Sequence, residues 1–302
     1  MGPIFRLKTY PLLDGGHTPP RVDTIRVSPV YVSSMPYDHF VPKVYLKGWL
    51  THPKSSKLDC YDKRTGCQCS KSIRRICGAN DHDRLNYTGS PSLAASRLEV
   101  ETRFHDIISM VNENRCDLLL YTLLSQFLAL QLTTTPTHIE WVASHLATLR
   151  LSKIQGKHSQ MVINFLHRVT HNPDVAKYSA ATDVMSYILM VFQRSPWTIW
   201  TTNSPVFYTS DAPCIPYPFL ISDVKYVVMP LTPQLCVKLD CRNEVDESFP
   251  PFPPGSIQFR LPSMSEVHRT NAAIFHCADR YVIKPSRGSF KKFAPMQNIG
   301  ES

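Results

Sequence analysis

The strongest constraint on this chain is the run Leu118–Leu132, LLLYTLLSQFLALQL. It contains the polar Ser125, Gln126 and Gln131. A membrane-spanning helix needs about 20 apolar residues, so the run is too short and too polar to cross a bilayer. It reads instead as a helix over 117–133 buried on all sides, which requires a substantial domain around it. Other elements follow from the same periodicity. Leu98, Phe104, Ile107, Ile108 and Val111 recur at helical spacing over 92–115, with Pro91-Ser92 as the start. Pro136 suits the first turn of a helix over 136–151, and further helices are expected at 157–171 and 178–194.

After Ser195-Pro196 the pattern changes to short β-branched or aromatic runs: WTIWTT, VFYTS, KYVVMPL, LCVKL and SIQFRLP. A last helix at 264–277 and the strand RYVIK follow. Upstream, KLDCYDKRTGCQCSKSIRRICG reads as two short strands around a turn at Thr65-Gly66. The expected fold class is α+β: a central bundle of about five helices packed with a C-terminal antiparallel or mixed sheet. The expected organisation is an extended arm over 1–35, a single domain over 36–285 and a basic, then polar, tail over 286–302. The Pro-rich FPPFPPG at 249–255 reads as a loop.

Charge and cysteine usage bound the function. The formal net charge is +9, which favours a polyanionic partner such as nucleic acid or an anionic surface. Nine cysteines without a signal-peptide pattern at the N-terminus indicate reduced thiols and a cytoplasmic protein with no membrane partner. Cys60, Cys67, Cys69 and Cys77, with His82 nearby, have spacing poorly suited to structural zinc, so no metal is expected there. The basic residues among them, Lys63, Arg64, Lys71, Arg74 and Arg75, read more easily as a polyanion-facing hairpin. Lys291 and Lys292 add to that set. GxGxxG, GxxxxGK[ST], GxSxG and HExxH are all missing, so no cofactor is expected through those routes.

Several polar residues stand out as site candidates. Glu101 shares the helical stripe of Leu98, Phe104 and Ile108. It is either a general base or clamp on a cationic group, or an edge position whose carboxylate reaches solvent or an Arg. Gln131 is turned into the apolar helix and needs hydrogen-bond partners, with bracing the leading role. In Thr209-Ser210-Asp211-Ala212-Pro213, a Ser-Asp pair at a strand end either lines a pocket or forms an Asx turn. His39 and Tyr45 lie within DHFVPKVYL, where His39 is either an acid–base group or a core histidine with a backbone partner.

The string His39-Phe-Val-Pro42-x-x-Tyr45-Leu46 resembles the opening motif of a large domain-of-unknown-function family of bacteria and fungi. Matches continue in order: the acidic helix with Glu101, the buried helix with Gln131 then Pro136, Thr209–Pro213, Pro230–Pro233, and Asn271 in the last helix. The family's Arg three residues after the Gln is Thr134 here. Length, basicity and composition also resemble fungal arginine-containing cyclodipeptide synthases. That resemblance implies condensation of arginyl-tRNA with a second aminoacyl-tRNA into a cyclic dipeptide. The implied roles are catalysis by His39, Tyr45, Glu101 and Ser210, substrate binding by Asp211, Gln131 and Asn271, and tRNA binding by the cations named above. Two other readings stand beside it: a metal-dependent nuclease or toxin-like hydrolase using His39, Glu101 and Asp211, and a non-catalytic RNA-binding module.

Overall fold

A computed structural model describes residues 37–50, 52, 54–80, 98–137, 185, 188–189, 191–217, 226–241 and 257–285. The chain divides into Met1–Met35 and Pro36–Ser302, and every described residue belongs to the second unit. The expected arm, most of the helices at 136–151 and 178–194, the helix at 157–171, the loop at 249–255, His82 and the tail with Lys291 and Lys292 lie outside the described residues.

The domain is α+β. In chain order the elements are β1 (Tyr37–His39), α1 (Lys43–Lys47), β2 (Lys57–Asp62), β3 (Cys67–Ser72), a 3-10 turn (Ile73–Arg75) and β4 (Gly78–Asn80). Next come α2 (Phe104–Asn112), α3 (Leu118–Thr134), β5 (Trp197–Thr201), β6 (Thr209–Ser210) and β7 (Ile215–Tyr217). The last five are β8 (Tyr226–Pro230), β9 (Leu235–Asp240), β10 (Ile257–Arg260), α4 (Met264–Cys277) and β11 (Tyr281–Ile283).

α3 is the anticipated buried helix. Asp117 caps it by accepting the Leu120 N–H at 2.9 Å, a contact worth about 1 kcal/mol. It ends at Thr135, which is extended because the following Pro136 excludes the helical region. From Leu120 onward it is buried almost all round, against α2 on one side. α2 begins later than its hydrophobic stripe suggests. Residues 98–102 are helical, Arg103 forms a turn, and the bonds from the Arg103 N–H to the Glu99 carbonyl and from the Ile107 N–H to the Arg103 carbonyl carry the helical path across it. Phe104, Ile107, Met110 and Val111 face the core, whereas Leu98 is 65% exposed. The buried face runs through Val100, Phe104, Ile107 and Val111, so Leu98 lies on the opposite side and Glu101 at the edge, half-buried.

The β-structure is not confined to the C-terminal part. One sheet has the order β10-β5-β9-β8-β7, with β10 and β5 parallel and the rest antiparallel. The other, β3-β2-β11-β6, joins the N-terminal hairpin to strands from the far end of the chain. β2 buries Leu58, Cys60 and Asp62 on one face, so it needs a partner strand, which β11 supplies. A two-stranded β1–β4 ribbon completes the set.

Candidate functional site

Tyr45 lies on α1, fully buried among Trp49, Phe104 and Phe127, with ring centroids at 6.0, 5.7 and 6.2 Å. Its hydroxyl donates to the Pro230 carbonyl at 2.7 Å and lies 2.5 Å from Thr209 Oγ1. A phenol has one proton, so Thr209 must be the donor in the second bond. Burial raises the Tyr45 pKa well above its ordinary value. Tyr45 thus welds α1 to β6 and the end of β8, and holds its proton firmly at neutral pH.

Asp211 follows β6. Its Oδ1 accepts the Asp279 N–H at 3.0 Å, and its Oδ2 accepts those of Arg280 and Tyr281 at 2.8 and 2.9 Å. Burial pushes the carboxyl up to about 6, against the opposing pull of these donors. The side chain closes the bend between α4 and β11. Asn271 on α4 works in the same manner. It accepts the Tyr208 N–H at 2.9 Å and donates to the Val206 carbonyl at 2.8 Å, so it pairs with the backbone just before β6. Ser210 is fully buried and its Oγ accepts the Ala212 N–H at 3.1 Å, a local turn.

His39 is buried, and its Nε2–H donates to the Ile73 carbonyl at 2.8 Å. The carbonyl can only accept, which fixes a proton on Nε2. Phe40 and Val41 donate their N–H groups to the Cys77 carbonyl, and the buried Cys77 thiol feels the charge of Asp211. The chain segments around 39–45, 77, 206–211, 230, 271 and 279–281 therefore meet, as braces between elements. Gln131 is fully buried, and both its amide atoms lack a partner among the described residues. Of the expected site residues, none lines the open groove of about 420 Å3 flanked by Gly48, Asn112, Thr201, Thr232 and Gln234.

Residues 37–288 match the model of a family described as a protein of unknown function, DUF4238. The chain belongs to the DUF4238 family. No curated protein and no solved structure matches it. This corrects the resemblance to arginine-containing cyclodipeptide synthases: the family matched is one of unknown function, and nothing in the comparison shows a cyclodipeptide synthase.

In this DUF4238 protein the cations divide into two sets. Several are spent on the fold. Lys63 Nζ donates to the carbonyls of His276 and Ala278 at 3.0 and 2.5 Å. Arg64 pairs with Asp279 at 3.2 Å, Arg260 with Glu266 at 2.5 Å, and Arg280 with the buried Asp62 at 2.9 Å. Lys63 and Arg64 are thus held by the α4–β11 bend, which offers carbonyls and a carboxylate within their reach. Lys71, Arg74 and Arg75 belong to the second set. With them stand four cations that sequence reasoning left out, the exposed Lys43, Lys47, Lys54 and Lys57.

These residues have no carboxylate partner among the described residues. Their segments adjoin. Lys57 stands opposite Ser72 in the β2–β3 register, Ile73 donates its N–H to the Ser56 carbonyl at 3.0 Å, and α1 packs on the 3-10 turn. The signal available in sequence was the one-turn spacing of Lys43 and Lys47, which puts both on one side of α1. Among the described residues no helix is long and apolar enough to cross a membrane. No group of three or more His, Cys, Asp or Glu among them could hold a metal ion.

Proposed function

We propose that this DUF4238 protein is an RNA-binding module whose contact surface is formed by α1, the start of β2 and the 3-10 turn. The observation that carries the reading is that Lys43, Lys47, Lys54, Lys57, Lys71, Arg74 and Arg75 gather on adjoining segments without a carboxylate partner among the described residues, whereas Lys63, Arg64, Arg260 and Arg280 are tied to carboxylates or carbonyls. Unpaired cations on adjoining segments are what phosphate recognition requires, since each neutralised phosphate releases a condensed counterion. A membrane surface is the weaker partner. Peripheral membrane binding combines cations with exposed apolar anchors, and the exposed large hydrophobics are Leu98, Leu118, Leu119, Leu261 and Met264, all outside 43–75.

The buried polar residues support binding over catalysis. His39, Tyr45, Ser210 and Asp211 are all buried and spend hydrogen bonds on holding backbone together. Asp211 also makes a poor metal ligand for a nuclease, because both its oxygens already accept N–H groups. All nine cysteines are free thiols, which fits a reducing, cytoplasmic setting.

The test is fluorescence anisotropy of the full chain with a labelled RNA hairpin, a DNA hairpin of the same sequence and anionic vesicles, across a salt series. The expected result is binding to RNA that weakens with salt at a log–log slope of about −0.7 to −0.9 per phosphate contact. Reversing Lys57, Arg74 and Arg75 to Glu should weaken it by at least about tenfold, because like charges then face the phosphates. Equal binding by that variant, or preference for the vesicles, would overturn the reading.

A further inference from the structure

Across the β2–β3 hairpin, Cys60 and Cys69 stand directly opposite each other, and their sulfur atoms are 3.2 Å apart. We propose that Cys60 and Cys69 form a reversible disulfide when the protein meets a hydroperoxide, so that the hairpin is a thiol redox site.

Three observations support this beyond proximity. Directly opposed residues in an antiparallel pair have Cα atoms about 4.5–5.5 Å apart, inside the range a disulfide spans. Closing the sulfur gap to about 2.05 Å therefore needs side-chain rotation and no backbone shift. The two thiols also differ in access. Cys60 is 1% exposed, whereas Cys69 is half-buried on the edge strand and can meet an oxidant. Finally, burial and the neighbouring thiol raise the Cys60 pKa strongly, so Cys60 is the poorer first nucleophile.

The division of labour follows. The Cys69 thiolate attacks one peroxide oxygen. The O–O bond breaks, an alcohol leaves with the proton, and Cys69 becomes a sulfenic acid. The Cys60 sulfur then attacks the Cys69 sulfur. The S–OH bond breaks, the Cys60 proton leaves with the hydroxide as water, and the S–S bond forms. In sum two thiols are oxidised and one hydroperoxide is reduced to an alcohol and water. This inference is independent of RNA binding.

The full-length protein, fully reduced, is treated with tert-butyl hydroperoxide, its remaining thiols are alkylated, and it is digested with trypsin and mapped by mass spectrometry. Trypsin cuts at Lys63 and Arg64 between the two cysteines, so the bridge appears as two linked peptides. The expected product is that pair, lighter by two hydrogens than the separate peptides and released by dithiothreitol. In Cys60→Ser, Cys69 should accumulate a dimedone-reactive sulfenic acid. Cys69→Ser should leave Cys60 as a thiol. The wild-type map does not depend on how the variants fold. A bridge to the exposed Cys67 instead, links between molecules, or Cys69 oxidised to sulfinic acid beside a free Cys60 would each overturn the proposal.

Discussion

Replacing Asp211 by Ala tests whether this residue is a brace, because the carboxylate's two energetic roles have opposite signs. The three N–H donors it holds, from Asp279, Arg280 and Tyr281, are each worth about 1.5–3 kcal/mol as bonds to a charged group. Against this stands the cost of keeping the charge buried. A net displacement from the ordinary 3.8 to about 6 means that burial disfavours the ionised form by about 3 kcal/mol more than the donors favour it. At pH 7 the gross contribution of the three bonds, about 4.5–9 kcal/mol, is opposed by the burial of the charge, and the net destabilisation expected for losing such a buried bonding group is about 1–3 kcal/mol. A carboxyl whose folded pKa is raised holds its proton in the folded state after the unfolded chain has released it. Its contribution to stability is therefore greatest below about 3.8, falls as pH rises through the window from 3.8 to about 6, and is constant above it. The deficit of Asp211→Ala should accordingly be larger at pH 4 than at pH 7, by up to about 3 kcal/mol. Urea denaturation at both pH values, followed by far-UV circular dichroism, measures it. A deficit that shrinks on acidification means the N–H donors outweigh burial. A deficit under about 0.5 kcal/mol at both pH values means the side chain braces nothing, and a functional role returns to the front.

Gln131→Met should leave stability unchanged or raise it by about 1 kcal/mol, since an apolar side chain of similar shape replaces an amide without partners. A loss above about 2 kcal/mol in the same denaturation assay would mean that the amide holds a partner. Arg280→Ala should cost about 1–3 kcal/mol near pH 7, because it strands the buried Asp62 while its own side chain is 36% exposed. Arg280 holds the Asp62 pKa below the ordinary carboxylate range, so the stability this pair adds is present above pH 3.8 and fades as pH falls further. Thermal melts from pH 7 to pH 2 should show the Arg280→Ala deficit narrowing at the acid end. Ser263→Ala removes half of the capping box in which Ser263 Oγ accepts the Glu266 N–H at 3.2 Å and Glu266 accepts the Ser263 N–H at 2.8 Å. It should cost about 1 kcal/mol by the same melts.

What sequence could reveal was local. The length and polarity of Leu118–Leu132 dictated a buried helix, and Asp117 and Pro136 set its ends. Most C-terminal strands were visible as β-branched runs, although of VFYTS only Thr209–Ser210 is strand. The pairing of β2 with β11 was not visible, since neither strand carries a signal naming a partner more than two hundred residues away. Leu98 misled because the buried face is set by Val100, Phe104, Ile107 and Val111, and at about 100° per residue Leu98 falls on the side opposite them. The alternatives at His39 and Asp211 were open for a similar reason. Each residue type serves proton transfer or backbone bonding equally well, and only the Ile73 carbonyl and the 279–281 amides decide which bonds it makes.

Tyr45, Thr209, Asp211, Pro230 and Asn271 lie far apart in the chain, yet each takes part in hydrogen bonds between elements distant in sequence. Such bonds are made in the core, where an unmatched donor or acceptor costs about 1–3 kcal/mol. Each partner then restricts the other, whether or not any member meets a ligand. Surface cations face no such restriction, because a lysine in water needs no partner. In this fold the residues easiest to recognise are those that hold the sheets and helices together. If the proposed RNA contact holds, charge reversal among the lysines and arginines of α1 and the 3-10 turn should disturb binding and leave these core bonds intact.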